Sequence, residues 1–469
     1  MESDNLKWLT VVILFLTWIF FKFENYFKSV ILAMKLQGPA TVPFFGNALY
    51  LTEGDVIQRF ANIISTQFHG SISRIWLFFI PFVVVYKPEH LKIIMSSSKV
   101  SEKNFVYKVL EIFFCNGLIT LKGHEWKNHR KIIQPFFQTN LIENDYYHSF
   151  LKYSQDIISE LGGQKCVKIQ NITNKYVKKI LHRIILGVDL DSVEETPFKK
   201  IENTAIEKLW KPWKTFQNSN PNLKQSIQSN FYERKSQLTK NNCLLDKLIE
   251  KVETSEFTED EAINEAITFL IAGYETIAIT LIACLYYLAK NQNIQEKVYQ
   301  EIQDATSNGT CNNITVEHIN KMHYLGQCVK ETLRIMPPIP LLTRVLNSDI
   351  TLDNYTIPSG TNILMSPLVT HRVQETFPDP LKYDPDRFSK ENIDKLPPYS
   401  YIPFSIGSRN CIAHKYAYLE LKTIIACILK EYHIELKEAY NDLSFGYRVA
   451  MTIKGGVWFN INPRKNIVK

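Results

Sequence analysis

The sequence contains eight cysteines but no C-x-x-C pair: Cys115, Cys166, Cys243, Cys284, Cys311, Cys328, Cys411 and Cys427 stand apart across 469 residues. Scattered in this way they form neither a disulfide framework nor a zinc site, and they fit a reducing compartment. The chain also lacks internal repeats, low-complexity segments and any linker that would divide its body. It therefore reads as one large body over residues 36–469, although at about 150 residues per domain the length would allow about three. No arginine-rich presequence opens it. The net charge is only +7, with lysines and acids mixed along the chain, so no nucleic-acid surface is expected. What remains is 45% hydrophobic and 12% aromatic. That excludes disordered, collagen-like and coiled-coil classes and supplies the bulk for a large core.

Residues 1–35 read differently from the rest. Trp8 to Phe21 is uncharged and almost wholly apolar, bracketed by Lys7 and Lys22. It is short against the ~20 residues of a spanning helix, but Leu6, Phe23 and snorkelling lysines extend it. The residues that follow, Lys22 to Phe27, offer no small-residue cleavage site. An uncleaved membrane anchor is expected rather than a signal peptide. Lys22, Lys28 and Lys35 lie on its C-terminal side, which predicts a cytosolic body. Sequons such as Asn171-Ile172-Thr173 would then never meet a glycosyltransferase.

Gly38-Pro39 to Gly46-Asn47 forms a stiff connector into the body. Ser71 to Phe79 and Phe82 to Tyr86 read as strands with Pro81 at the break. Helices dominate from there. Ile112 to Leu121 reads as loop-like, Val167 to Leu186 and Phe198 to Trp210 as helical, and Asn218 to Asn222 as a turn. A long helix is expected from about Thr258 to Asn291 and another ending at Pro337-Pro338. Ile350 to Ile363 reads as short strands. The last helix should begin after Cys411 and run to about Tyr432, before a β-rich tail. The fold class is mainly α with small β-sheets.

Chemistry concentrates in four places. Thr258 and Glu261 form a capping box that starts the long helix. From Ala266 to Ala289 that helix is apolar all round except for Glu275, so it must be buried, and a buried carboxylate needs a reason. Ala272, Gly273 and Thr276 share a face where a flat object could approach the backbone, although a packing glycine beside a solvent strip would look the same. Glu331 and Arg334, at i and i+3, share a helix face, an arrangement common on any surface. In Phe404 to Ala413, a cysteine follows a turn at Gly407, lies beside Arg409 and starts a helix. That position favours thiolate, the ligand that pushes electrons onto a haem iron. Trp126 and Arg130, at i and i+4, could hold a haem propionate or simply lie on an amphipathic surface helix with Lys127 and Lys131.

Together these residues resemble a cytochrome P-450, a haem-thiolate monooxygenase, over nearly the whole chain. The resemblance rests on the anchor and its hinge, the Trp126/Arg130 helix, Ala272 to Thr276, Glu331 to Arg334, Pro385-Asp386-Arg387-Phe388 and the Cys411 loop. Phe377 to Pro380 and Tyr401 to Phe404 are similar to the clan that contains family four, the fatty-acid ω-hydroxylases and their insect relatives. The resemblance implies haem b bound through iron to Cys411. It implies propionates held by Trp126, Arg130, Arg344 and Arg409, and Phe404 against the cofactor. It implies a structural clamp of Glu331, Arg334 and Arg387, and a proton relay through Glu275 and Thr276 to dioxygen. The cofactor should be non-covalent, because Ala272 stands where many family-four members carry an esterifying glutamate. Electrons should come from NADPH through a membrane flavoprotein reductase, with cytochrome b5 as a possible second donor. Lys127, Lys131, Lys415 and Lys422 are candidates to meet such an acidic partner, or ordinary solubilising charges. The expected location is the endoplasmic reticulum membrane.

Two departures stand out: Ala413 replaces a usual glycine, and Ile277 replaces a frequent second threonine. The stretch from Trp210 to Thr258, expected to form part of a substrate lid, is short. The pocket should be apolar, from Phe105, Tyr107, Phe113, Phe114, Phe269, Ile339, Leu341, Leu342, Val449 and Met451, and should take an apolar small molecule such as a fatty acid, hydrocarbon, hormone-like lipid or xenobiotic. The rival readings are a haem-thiolate isomerase or dehydratase, against which Glu275-Thr276 argues, and a non-catalytic haem or lipid carrier.

Overall fold

The capping box at Thr258 starts the helix around which the molecule is organised. Thr258 N–H donates to Glu261 Oε2 at 2.7 Å, and Glu261 N–H returns a bond to Thr258 Oγ1 at 3.2 Å. The helix runs Glu259–Lys290, about 48 Å at 1.5 Å per residue. Among the described residues it is the one helix long and apolar enough to cross a membrane. Its burial in the protein identifies it instead as a core helix.

The computed structural model describes residues 23–48, 61–64, 72–96, 102–190, 221–236, 242–306, 313–437, 443, 445–447 and 450–464. Its main helices are α1 (Glu24–Lys35), α2 (Pro88–Ser96), α3 (Phe105–Phe114), α4 (Gly123–Ile133), α5 (Tyr147–Leu161), α6 (Ile169–Leu181), α7 (Pro221–Ser236), α8 (Leu244–Glu253), α9 (Glu259–Lys290), α10 (Gln292–Thr306), α11 (Val316–Lys321), α12 (His323–Ile335) and α13 (His414–Glu431). The strands are β1 (Ser73–Leu77), β2 (Ile80–Val85), β3 (Cys166–Lys168), β4 (Leu342–Val345), β5 (Ile350–Leu352), β6 (Tyr355–Ile357), β7 (Asn362–Met365), β8 (Tyr432–Leu436), β9 (Phe445–Tyr447), β10 (Met451–Ile453) and β11 (Trp458–Pro463). One sheet has the order β1-β2-β7-β4, with β2 and β7 parallel and the outer pairs antiparallel. A second, β3-β11-β8, ties the C-terminal tail back to the start of α6, and β5-β6 and β9-β10 are two-stranded. The main apolar core surrounds α9 and takes in α5, α6, α12 and α13. A smaller cluster joins Phe82, Val84 and Leu364 of the first sheet to Ile279 and Ala283 of α9, so the same helix is packed against both layers.

The mainly α class with small sheets is what the sequence reading expects, and α9, α12 and α13 end close to the expected positions. Several boundaries differ. Pro81 lies inside β2, opposite Trp76. The break comes at Phe78, whose φ of 55° turns the chain, and β7 pairs β2 only from Phe82 onward, so Pro81's missing N–H breaks no bond to that neighbour. Ile112 to Phe114 form the last, buried turn of α3 rather than a loop. Asn104 caps that helix by accepting from Val106 N–H, and Cys115, at φ 51°, ends it. Pro221 opens α7, where its missing N–H costs nothing. The last helix begins at His414, three residues beyond Cys411. The anchor over Trp8 to Phe21, the segment Phe198 to Trp210 and part of the expected lid lie outside the described residues.

Candidate active site

A cavity of about 550 Å³ lies between α9 and the loop that precedes α13. That volume is typical of a small-molecule or cofactor site. One wall is α9, which contributes Phe269, Ala272, Gly273, Glu275, Thr276 and Thr280; the other is Pro403 to Ser405 and Arg409 to Ala413. Trp126 and Arg130 of α4, Arg344 of β4, and Lys103 and Tyr107 from α3 and the residues before it complete the polar part.

The loop wall is held by many bonds. Cys411 N–H donates to Phe404 O at 2.9 Å, which folds the loop back on itself. Arg130 grips it with two bonds, to Asn410 O at 2.7 Å and to Asn410 Oδ1 at 2.8 Å. The Arg409 guanidinium lies 3.7 Å from the centre of the Trp126 ring and donates to Leu121 O at 2.9 Å. His371 Nε2 accepts Ile402 N–H at 2.8 Å, while its other ring nitrogen faces Arg334 O at 3.2 Å. Below the loop, Arg334 makes a fork on Glu331 at 2.6 and 2.8 Å, both residues fully buried, and Arg387 reaches the same carboxylate at 3.5 Å. The clamp implied by the resemblance is therefore assembled in the structure, with Asp384 N–H as a further donor to Glu331 at 2.9 Å.

One expectation about the loop is refined and one is corrected. Burial holds the Cys411 thiol above its ordinary range, although the Ala413 N–H and Arg130 pull it downward. The helix begins too late for its first turn to supply the whole expected effect, and the cation that acts on the thiol is Arg130 rather than its chain neighbour Arg409. Gly407 does not line the cavity. It sits at φ 77°, and a Cβ there would lie 2.7 Å from Met95 O, so the turn and the approach of α2 require glycine. Ala413, by contrast, has φ −99°, which any residue adopts, so the backbone tolerates the missing glycine.

The α9 wall is sparsely bonded. Thr276 Oγ1 donates to Ala272 O at 2.8 Å, so the hydroxyl is tied to its own helix at the cavity surface. Glu275 opens into the cavity, and burial raises its carboxyl to about 7. Gly273 also lines the cavity, but its close neighbour is α6: a Cβ there would fall 2.9 Å from Leu181 Cδ2, so packing accounts for this glycine. Of the expected apolar lining, Phe105, Tyr107, Phe114, Phe269, Ile339, Leu341 and Leu342 are present. Phe113 is buried in the main core, Met451 packs in β10, and Val449 lies outside the described residues.

The sequence reading missed Lys103. It is buried, lies 4.4 Å from the centre of the Tyr107 ring and bonds Ile119 O. Burial, and then the charges of Arg344, Arg409 and Arg130, hold its ammonium well below the ordinary lysine range. Arg344 donates to Thr343 O at 2.8 Å and to the Tyr107 hydroxyl at 3.4 Å. Three guanidinia and the Lys103 amine thus converge on one end of the cavity, with Glu102 acting on Arg409. Such a cluster calls for an anion, and two propionates supply one. No motif marks Lys103; only its place between a capping asparagine and the preceding strand-like bridge at Glu102 brings it here. Among the candidate partner lysines, Lys127, Lys131 and Lys415 are exposed. Lys422 is less available than expected, because it is half-buried and donates to Ile319 O.

A mainly helical body, a half-buried cysteine in a hydrogen-bonded loop, a cluster of basic groups for carboxylates and an apolar cavity under a long helix define a haem-thiolate enzyme. The cytochrome P450 family model matches residues 36–456, and the chain belongs to that family. It is 32% identical to probable cytochrome P450 4aa1 of Drosophila melanogaster, over 99% of this chain and 96% of that protein. It is 28% identical to cytochrome P450 4V2 of Mus musculus, over 90% and 88%. It is 28% identical to cytochrome P450 4c21 of Blattella germanica, over 93% and 94%. The chain is accordingly a monooxygenase of the oxidoreductase class, and its family uses non-covalent haem b with a cysteine thiolate ligand.

Proposed function

We propose that this chain hydroxylates an apolar small molecule of the fatty-acid, hydrocarbon or lipid-hormone kind, taking electrons from NADPH through a flavoprotein reductase. The observation that carries the reading is the cavity: apolar over most of its lining, with Cys411 in one wall and Glu275-Thr276 in the other. Haem b, bound through its iron to Cys411, supplies the dioxygen chemistry. Trp126, Arg130, Arg344, Arg409 and Lys103 would hold its carboxylates, and Phe404, within the thiolate loop, would lie against the haem. Glu331, Arg334 and Arg387 keep that loop in place. Glu275 carries a transferable proton near neutral pH, and the Thr276 hydroxyl can accept a proton from it and pass one on at the cavity surface. The apolar lining orients the substrate and keeps bulk water from the reacting carbon. Ala272 offers no carboxylate for an ester link to the cofactor.

The body works at a membrane, anchored by residues 1–35. Phe44, Phe45, Phe78 and Phe79 form an exposed aromatic ridge, with Phe44 against Phe79 at 6.4 Å and Phe45 against Phe78 at 6.2 Å. Tyr26 of α1, just beyond the apolar N-terminal run, donates to Phe79 O at 3.0 Å, so the ridge continues from the anchor. Endoplasmic reticulum is the compartment this suits, with Lys127, Lys131 and Lys415 facing a reductase or cytochrome b5.

The test has two stages. The carbon monoxide difference spectrum of the dithionite-reduced membrane fraction should show the strongly red-shifted Soret band of thiolate-ligated haem. Reconstitution with NADPH and reductase should then oxygenate members of a panel of fatty acids, alkanes and terpenoids. A red-shifted band with no turnover of any apolar compound would remove the substrate reading and favour a carrier.

A further inference from the structure

Helix α4 places two groups at the cation cluster, Trp126 and Arg130, and between them lies His129, which points the other way. Its side chain is 3% exposed. Nδ1 lies 2.7 Å from Glu265 Oε1, and Nε2 lies 3.3 Å from Glu261 Oε1. Both carboxylates belong to the first two turns of α9, one turn apart. Glu265 is fully buried, and its second oxygen accepts Leu118 N–H at 3.2 Å. The second oxygen of Glu261 is held by the Thr258 capping box. Phe257 covers the imidazole, with ring centres 4.5 Å apart.

A neutral imidazole has one N–H and one lone pair, so it can donate to one of these carboxylates but must oppose the other. Only the imidazolium donates to both. We propose that His129 is a positioning residue: as an imidazolium it clamps α4 to the start of α9, fixes Trp126 and Arg130, and makes haem retention pH-dependent. The retention half of this proposal rests on the haem-thiolate reading above.

The charges support the geometry. Burial alone would lower the His129 value. The hydrogen bonds and charges of Glu265 and Glu261 outweigh it and leave the imidazole above its ordinary 6.5. Glu265 is raised by burial, against the pull of His129 and Leu118 N–H. For Glu261, burial is again opposed, here by Thr258 and His129, and these win, so its carboxyl is lowered and stays ionised. A histidine raised in the native state contributes fully below 6.5, and its contribution is lost as pH rises through the native value. Glu261, lowered in the native state, sets the opposite, acid edge, its contribution being lost as pH falls through its native value.

The experiment follows haem transfer from the holoenzyme to excess apomyoglobin between about pH 6 and about pH 9. The wild-type rate should rise toward the alkaline end. His129→Gln should lose haem about 10-fold to about 100-fold faster at the acid end, as expected for a group that orients cofactor ligands, with little further rise. Should His129→Gln fail to fold, Glu261→Gln keeps an oxygen for the cap and removes one charge, and it should move the alkaline rise to lower pH. A flat wild-type profile, or an unchanged profile in either variant, overturns the proposal. A second readout does not depend on cofactor. The ring ¹⁵N shifts of His129 should titrate above 6.5; titration at or below that value overturns the clamp even where the carbon monoxide band stands, and a missing band with a raised titration would fault the haem reading alone.

Discussion

The two walls of the cavity are built on opposite principles. The loop around Cys411 is tied down by Arg130, Arg409, His371 and the Glu331–Arg334 fork, with Ser405 Oγ the exception that has no hydrogen-bond partner in the loop. The α9 wall presents a carboxyl raised by burial and a hydroxyl bonded only within its own helix. A wall that must hold a ligand at a set position benefits from redundancy. A wall that must deliver protons needs a group whose bonds can change, and such a group is costly to bury. The difference separates stability from turnover, and it can be tested from both sides.

The largest effect should come from the loop. Cys411→Ala should abolish the red-shifted carbon monoxide band entirely, while far-ultraviolet dichroism shows the helical fold retained. Retention of the band would remove Cys411 as the ligand. Next is the clamp beneath it. Arg334→Ala leaves the fully buried Glu331 without its fork and should cost about 3–5 kcal/mol of unfolding free energy in urea titration. Arg387→Ala removes the longer, 3.5 Å contact from a partly accessible side chain and should cost about 1 kcal/mol or less. Equal losses would mean that the three residues act as one unit.

On the α9 wall the fold should not change and the chemistry should. Thr276→Ala removes only bonds within its own helix, to Ala272 O and to Gly273 O, so substrate affinity should hold while hydrogen peroxide formed per NADPH rises several-fold. Unchanged coupling would take Thr276 out of the relay. Glu275 adds a pH signature. Its carboxyl titrates at about 7, so the proton it can give is present below that value and lost as pH rises through it. Coupled turnover should fall across the same range, and Glu275→Gln should lower it and flatten the profile. The stability sign agrees: a carboxyl raised in the native state favours the fold while protonated, and that contribution is lost as pH rises through about 7.

How far the sequence reveals this contrast depends on spacing. The α9 wall is legible because a capping box, an unbroken apolar run and one charge within it specify a buried helix with a single exception. The loop and the Glu331–Arg334 pair are legible because i, i+3 and loop motifs bring together residues that are close in the chain. What spacing cannot convey is burial. It left Gly273 open between a cofactor approach and packing and gave Gly407 to the cofactor, when Leu181 and Met95 account for them. It also missed contacts between distant segments. Nothing near His129 announces Glu265, 136 residues away.

Lys103 is the smallest expected effect and the finest test of the contrast, because it belongs to the fixed wall but shares a property with Glu275. Burial and three guanidinia hold its ammonium well below the ordinary range, as desolvation holds Glu275 above its own. A carboxylate set among Lys103, Arg130, Arg344 and Arg409 would reverse that penalty and restore the proton, so loading haem should take up a proton at Lys103. Lys103→Met should leave the Cys411 ligation and its spectrum intact, because Arg130 and Arg409 remain. It should speed haem loss only a few-fold and abolish the proton uptake seen by titrating haem into apoprotein in two buffers of different ionisation enthalpy. Lys103→Arg, charged at every pH, should retain haem but also take up no proton. If both variants keep the wild-type proton uptake, then Lys103 is an ordinary buried lysine and the anion is held by the guanidinia alone.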